Sequence, residues 1–286
     1  MSDVRLQLES IKGKRPNPDS NLKEKLIAIL KEVLQPNASL NPTEAAAVID
    51  DLAPKFREAG RYGSRRKLRM EPAIENFMTQ LWELLFEAMQ LVPPEHLGHT
   101  RAISMLDALC QISGDLDVNT KHGPLRWRHL PCLTRYLLEG TWHWTEPFDE
   151  REWLNLMSFA ARLLGSGLVD AENGVWDLEY IASHQLWHIG GEYGQQYLKG
   201  DLKRDLALGE EWITHAGATI LQIARRNFYK PNVAHPRFFT RCRNMFNIRN
   251  WERWQRRLLE VGAEVDGDLS SRCLMLAHKM KLLERD

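Results

Sequence analysis

"SNLKEKLIAILKEVLQP", residues 20–36, decides the fold class. Leu22, Leu26, Ile29, Leu30 and Val33 follow the i, i+3, i+4 spacing that lines one face of an α-helix, and Pro36 stops the run. The stretch that follows, "NPTEAAAVIDDLAPKFREAG" (41–60), offers Asn41 as a cap, Pro42 at the first helical position and Glu44 to complete a capping box. Pro54 is expected to kink this helix and Gly60 to end it. The same periodicity recurs in "EPAIENFMTQLWELLFEAMQLVPP" (71–94), "HTRAISMLDALCQISG" (99–114), "FDEREWLNLMSFAARLLGSG" (148–167), "LKRDLALGEEWITHAGATILQIARRNF" (202–228), "NWERWQRRLLEVG" (250–262) and "DLSSRCLMLAHKMKLLER" (268–285). No stretch reads as a strand. About ten helices joined by short loops predict an all-α protein, residues 1–286 forming a single domain of stacked helical hairpins. No fixed repeat period argues for a regular solenoid.

At 286 residues and 43% hydrophobic, the chain can bury a sizeable core. The opening "MSDVRLQLESIKGKRPNPDS" carries charge from its third residue and lacks an apolar h-region, so a cytoplasmic resident is expected. No segment has the roughly twenty uncharged apolar residues of a membrane span. Cys110, Cys132, Cys242 and Cys273 are scattered, which suits reduced thiols better than a disulfide framework. Formal net charge is zero, so an electrostatic role must come from local asymmetry.

The segments "GPLRWRHLPCLTRYLLEGTW", "EWLNLMSFAARLLGSGL", "VWDLEYIAS", "GEEWITHAGATI" and "NWERWQRRL" resemble, in their order, a fungal family known as domain of unknown function 3632, in which W-x-x-LP and EW-x-NL-x-x-F-x-ARL patterns recur. The resemblance covers about residues 120–260, implies an all-helical fold and a fungal origin, and supplies no catalytic residue. Some members lie near natural-product pathways, which makes an enzyme conceivable.

Chemistry-bearing residues gather in three places. "SHQLWHIGGE" (183–192) sets His184 and His188 four apart; on one helix spanning 175–189 they share a face at metal-binding distance. A zincin needs a carboxylate base where Gln185 stands, and no third ligand is fixed by the sequence, so the first reading is a partly buried polar face and no metal is expected. "TWHWTEPFDEREW" (141–153) crowds Trp142, Trp144 and Trp153 near Trp127. Indoles build cores, and packing is the first reading. A groove lined by these four rings, with His143 and Glu146 at its lip, would suit an aromatic or terpenoid ligand and hold an acid and a base. From Arg225 to Arg257 the chain has nine arginines and one lysine against the single acid Glu252, interleaved with aromatic rings. Internal pairing with acids is the first reading there; anion, acidic-partner or nucleic-acid binding through Arg241, Arg243 and Arg249 is the next.

A D-D-x-x-D helix, G-x-S-x-G, a P-loop and G-x-G-x-x-G are all missing, which removes metal-dependent cyclases and the common hydrolase and nucleotide signatures; no cofactor is called for. The expected function is a helical binding or interaction protein with an aromatic-lined groove for a hydrophobic small molecule. The alternative is a cofactor-independent enzyme of fungal secondary metabolism, of cyclase, isomerase or dehydratase type, with His143, Glu146, His184 and His188 as acid-base candidates. A third is an RNA- or anion-binding protein. The sequence leaves the oligomeric state open.

Overall fold

The computed structural model describes residues 4–13, 20–53, 72–112, 119–120, 123–124, 127–143, 149–169, 175–190, 199–227 and 247–285. Ten α-helices run through them: α1 (Ser20–Val33), α2 (Pro42–Leu52), α3 (Pro72–Gln90), α4 (Gly98–Gln111), α5 (Leu133–His143), α6 (Glu150–Gly165), α7 (Val175–Gly190), α8 (Lys199–Asn227), α9 (Ile248–Glu264) and α10 (Gly267–Leu283). Between α4 and α5 lie a two-residue antiparallel pair, β1 (Asn119–Thr120) with β2 (Gly123–Pro124), and a 3₁₀ turn at Trp127–His129. The protein is all-α. Its helices gather into two compact units, residues 1–156 with 168–174 and residues 157–167 with 175–286.

In the first unit α1 buries Leu26, Ile29, Leu30 and Val33, the stripe its spacing predicts, against α2, α3 and α4. The capping box of α2 is complete: Glu44 N–H donates to Asn41 Oδ1 at 2.9 Å and Asn41 N–H to Glu44 Oε2 at 3.0 Å. α2 ends at Leu52 and Ala53 is extended (φ −64°, ψ 138°), just before the proline expected to kink the helix; the end expected at Gly60 lies outside the described residues. The ring of Pro54 excludes the helical conformation from the residue before it, so the chain leaves the helix there. α3 buries Phe77, Leu81, Trp82, Leu85 and Met89 on a wide apolar face and keeps Glu75 and Asn76 in solvent, packing on α1 and α5. Trp127 stands edge-on to Trp82 and Phe77, with ring centroids 6.3 Å apart in each pair. Both indoles satisfy their N–H groups, Trp82 on the Pro131 carbonyl and Trp127 on Asp50 Oδ1, each at 2.7 Å. These bonds brace a turn in which Leu130 (φ 40°) and Cys132 (φ 64°) both take left-handed backbone, at roughly 1 kcal/mol or more each.

In the second unit α7 packs on α8 and α9, and α10 on α9 and α8. The 29 residues of α8 extend about 43 Å and form the longest rod of the described residues. α9 and α10 make an antiparallel hairpin whose register is held by Ser270 Oγ on the Gly262 carbonyl (2.5 Å), Gln255 Nε2 on the Ala277 carbonyl (3.3 Å) and Trp251 Nε1 on Glu284 Oε1 (3.1 Å). The guanidinium of Arg272 grips Glu210 with two bonds of 2.9 and 2.6 Å, fastening α10 to α8. Where α6 meets α8 the approach is so close that a Cβ on Gly165 would collide with the His215 carbonyl. Among the described residues no helix is long and apolar enough to cross a membrane.

Candidate functional site

The densest buried chemistry of the second unit lies at that crossing. Ser158 and Arg162 on α6 face Glu211 and His215 on α8. Ser158, fully buried, donates to Glu211 Oε2 at 2.6 Å, and His215 Nε2 lies 3.4 Å from the same oxygen. Arg162 Nε is 3.5 Å from Ser158 Oγ. Burial works against the charged form of Glu211, but hydrogen bonds from His215 and Ser158, with the charges of His215 and Arg162, outweigh it and hold the carboxyl below its usual range. Burial pulls the Arg162 guanidinium below the ordinary arginine value, Glu211 opposing. In a catalytic triad the imidazole stands between hydroxyl and carboxylate and takes the hydroxyl proton. Here the carboxylate stands in the middle, so the serine proton is held by Glu211 and the hydroxyl is not activated. The arrangement clamps two helices.

The residues singled out by sequence fall as follows. His184 and His188 do share α7, and His184 is exposed with its ring 6.3 Å from Tyr180; the side chain of His188 lies outside the described residues. Among the described residues no three His, Cys, Asp or Glu side chains converge as metal ligands would. Trp127 is 1% exposed and takes the packing role, while Trp153 on α6 is half-buried. Trp142 and His143 lie on α5 with side chains outside the described residues, and Trp144 and Glu146 lie outside them altogether, so no shared groove can be drawn from the four indoles. Arg249 is exposed on α9; Arg241 and Arg243 lie outside the described residues. Nearby, Arg257 pairs with Glu260 on its own helix at 3.1 Å and Arg225 donates to the Glu284 main-chain carbonyl at 3.1 Å.

Two features had no place in the sequence reading. Glu179, on the α7 face shared with Leu178, Ala182 and Ser183, is 7% exposed, and burial pushes its carboxyl up to about 8. α10 leaves large apolar side chains in solvent: Met275 is 63% exposed, Leu274 and Leu282 each 44%, and Leu259 on the neighbouring α9 48%. The run Cys273-Leu274-Met275-Leu276-Ala277 carried the signal for the second. Five consecutive apolar residues sweep more than a full helical turn and cannot all face one core. An open depression of about 470 Å³ in the first unit, lined by Asn41, Thr43, Ser104, Asp107 and Gln111, is polar and shallow.

Helices clamped by buried polar side chains, with an α9–α10 hairpin that leaves four large apolar side chains in solvent, define an all-α protein. Residues 82–258, more than half of the chain, match the family model described as protein of unknown function (DUF3632), and the chain belongs to that family. The match begins at Trp82, before the segments that carry the resemblance, and ends before α10. No curated protein and no solved structure matches the chain.

Proposed function

We propose that the chain is a helical interaction protein that binds a partner through the solvent face of its α9–α10 hairpin. One observation carries the reading: of six large apolar side chains left exposed among the described residues, Leu259, Leu274, Met275 and Leu282 all belong to these two helices. Scattered exposed apolar residues are ordinary, but a group on one surface marks a place that another molecule covers. The hydrophobic-ligand version of a binding role, a groove built by the four indoles, draws no support from Trp127, which is sealed in the core.

The test compares the full-length protein with a Leu274→Ser/Met275→Ser/Leu282→Ser variant, the melting temperature of each being measured as the control for folding, because Leu274 also packs over Gly262. Proteins retained from host extract are quantified for both. The expected result is a partner held at least tenfold less by the variant, which when purified slows amide exchange over residues 271–285 of the wild type. Identical retention by both chains overturns the reading.

A further inference from the structure

Residues 4–13 belong to no helix, yet Leu6, Leu8 and Ile11 are buried while the residues between them stand in solvent. Over Val4–Leu8 this is the alternation of an extended strand with one face down. Among the described residues no strand pairs with it. Side chains of the first unit hold its main chain instead. Gln35, just after α1, takes both groups of Leu6: its Oε1 accepts from the Leu6 N–H at 2.9 Å and its Nε2 donates to the Leu6 carbonyl at 3.0 Å. The Glu87 carboxylate on α3 accepts from two successive amides, Lys12 N–H at 3.1 Å and Gly13 N–H at 2.7 Å. Lys23 Nζ on α1 donates to the Gly13 carbonyl at 3.0 Å. His96 Nδ1 accepts from the Gly98 N–H at 2.9 Å, so the ring proton sits on Nε2, which donates to the Val4 carbonyl at 2.7 Å. The segment therefore runs antiparallel to α1, from Gln35 back to Lys23, along about 18 Å of helix.

We propose that this face of the first unit is a binding groove for an extended peptide segment, and that residues 4–13 fill it in cis as a tethered ligand that leaves and returns while the helices stay folded. The site is separate from the α9–α10 hairpin and stands without it. Extended peptides are recognised in this way, their main chain gripped by hydrogen bonds and their alternate side chains seated in apolar pockets. The pattern read by the groove is apolar at i, i+2 and i+5, with glycine at i+7. Gly13 has φ 66°, which disfavours any other residue, and a Cβ there would lie 2.8 Å from Lys23 Cε and push that side chain off the Gly13 carbonyl. The gripping groups separate a ligand from a piece of core. They are a glutamine, a carboxylate, an ammonium and an imidazole, and water satisfies all four when the strap lifts, so departure leaves no polar group stranded. Six residues, 14–19, tether the strap to α1, and so short a tether gives an effective concentration on the order of millimolar. The cis segment outcompetes a free one of equal affinity, and the groove is closed to other segments until the strap is displaced.

The experiment sets a specific protease site in place of residues 14–19 of the full chain, lets the chain fold whole and then cuts it. Uptake of a labelled synthetic peptide of residues 1–15 is followed by fluorescence polarisation, and the fold by tryptophan fluorescence. The cut chain should exchange its strap for the labelled peptide with its fold intact and bind it at least tenfold more tightly than the uncut chain does. Peptides carrying Leu8→Ser/Ile11→Ser or Gly13→Ala, and a cut chain carrying Gln35→Ala/Glu87→Ala, should each bind at least tenfold more weakly. In the unaltered protein the amides of Leu6, Lys12 and Gly13 should exchange with solvent at least tenfold faster than those of the buried face of α3. A strap that cannot be exchanged, a chain that unfolds when the strap leaves, or strap amides as slow as those of α3 makes residues 4–13 part of the core and overturns the groove. Equal binding of wild-type and substituted peptides, or equal uptake by cut and uncut chains, puts the peptide elsewhere on the protein and overturns it as well.

Discussion

Replacing Glu179 with glutamine should stabilise the protein, and the gain should grow with pH. In the folded chain the Glu179 carboxyl sits on a buried face of α7 and burial raises it to about 8, against 4.5 for the ordinary group. Below pH 4.5 the group is neutral folded or unfolded and its ionisation contributes nothing. Between 4.5 and about 8 only the folded state holds the proton, so unfolding releases it and stability falls as pH rises. At 1.36 kcal/mol per pH unit the loss is about 3 kcal/mol at pH 7 and approaches about 5 kcal/mol above pH 8. Glutamine has nearly the same shape, stays neutral, and lacks this slope. Urea unfolding of both proteins at pH 5, 7 and 9, followed by tryptophan fluorescence, measures the difference, and every other titrating group cancels between them. Stability curves that run parallel across this range would show that Glu179 ionises in the fold as it does in water, and the reasoning would be refuted.

Three further outcomes are expected. Gly165→Ala should cost about 1–3 kcal/mol or more, because the new methyl meets the main-chain carbonyl of His215, which cannot rotate aside; a melting temperature unchanged from wild type would mean that α6 and α8 are not in this contact. Ser158→Ala should lose about 1.5–3 kcal/mol at neutral pH, since a buried hydroxyl bonded to a carboxylate at 2.6 Å disappears. The Glu211 carboxyl is held low in the fold, so this loss should be present above the ordinary carboxylate range and shrink as acid protonates it; a loss independent of pH argues against the bond. Trp127→Phe keeps a ring against Trp82 and Phe77 but removes the donor to Asp50, and should cost about 1–2 kcal/mol in chemical denaturation; a cost near zero would mean that the indole N–H contributes nothing.

The helices were legible because their determinants are local. The leucine spacing of residues 22–33 and the Asn41/Glu44 box act within four residues of themselves, and the structure places both as read. The end of α2 at Leu52 was not read, since Pro54 was expected only to kink the helix: the residue before a proline resists the helical conformation more strongly than apolar periodicity favours it. α7 shows where a face cannot be read. It buries Leu178, Glu179, Ile181, Ala182, Ser183 and Leu186, a set that surrounds most of the helix and includes an acid, so no amphipathic stripe marks an inside. His184 stands on the exposed side of α7, while the unusual group is the glutamate five residues before it.

The clamp and the docking face were hidden for opposite reasons. Ser158 and Glu211 are separated by 53 residues, and nothing in either helix alone announces that α6 approaches α8 at Gly165; the pairing exists only once the two rods cross. The α10 face, by contrast, is written in the sequence as five apolar residues in a row, an excess over one core-facing stripe that helical periodicity alone does not reveal. The tryptophans carry the same lesson. Trp82, Trp127, Trp212, Trp251 and Trp254 are all essentially buried, so indoles crowd this sequence because its helices cross on large rings. Among the described residues, four of the six large apolar side chains left exposed are leucines and a methionine on α9 and α10. If α10 served only to close the second unit, serine or lysine at 274, 275 and 282 would serve as well and keep the surface wetter. Apolar side chains at those positions are what a surface covered by another molecule would carry, which is the reading proposed for the hairpin.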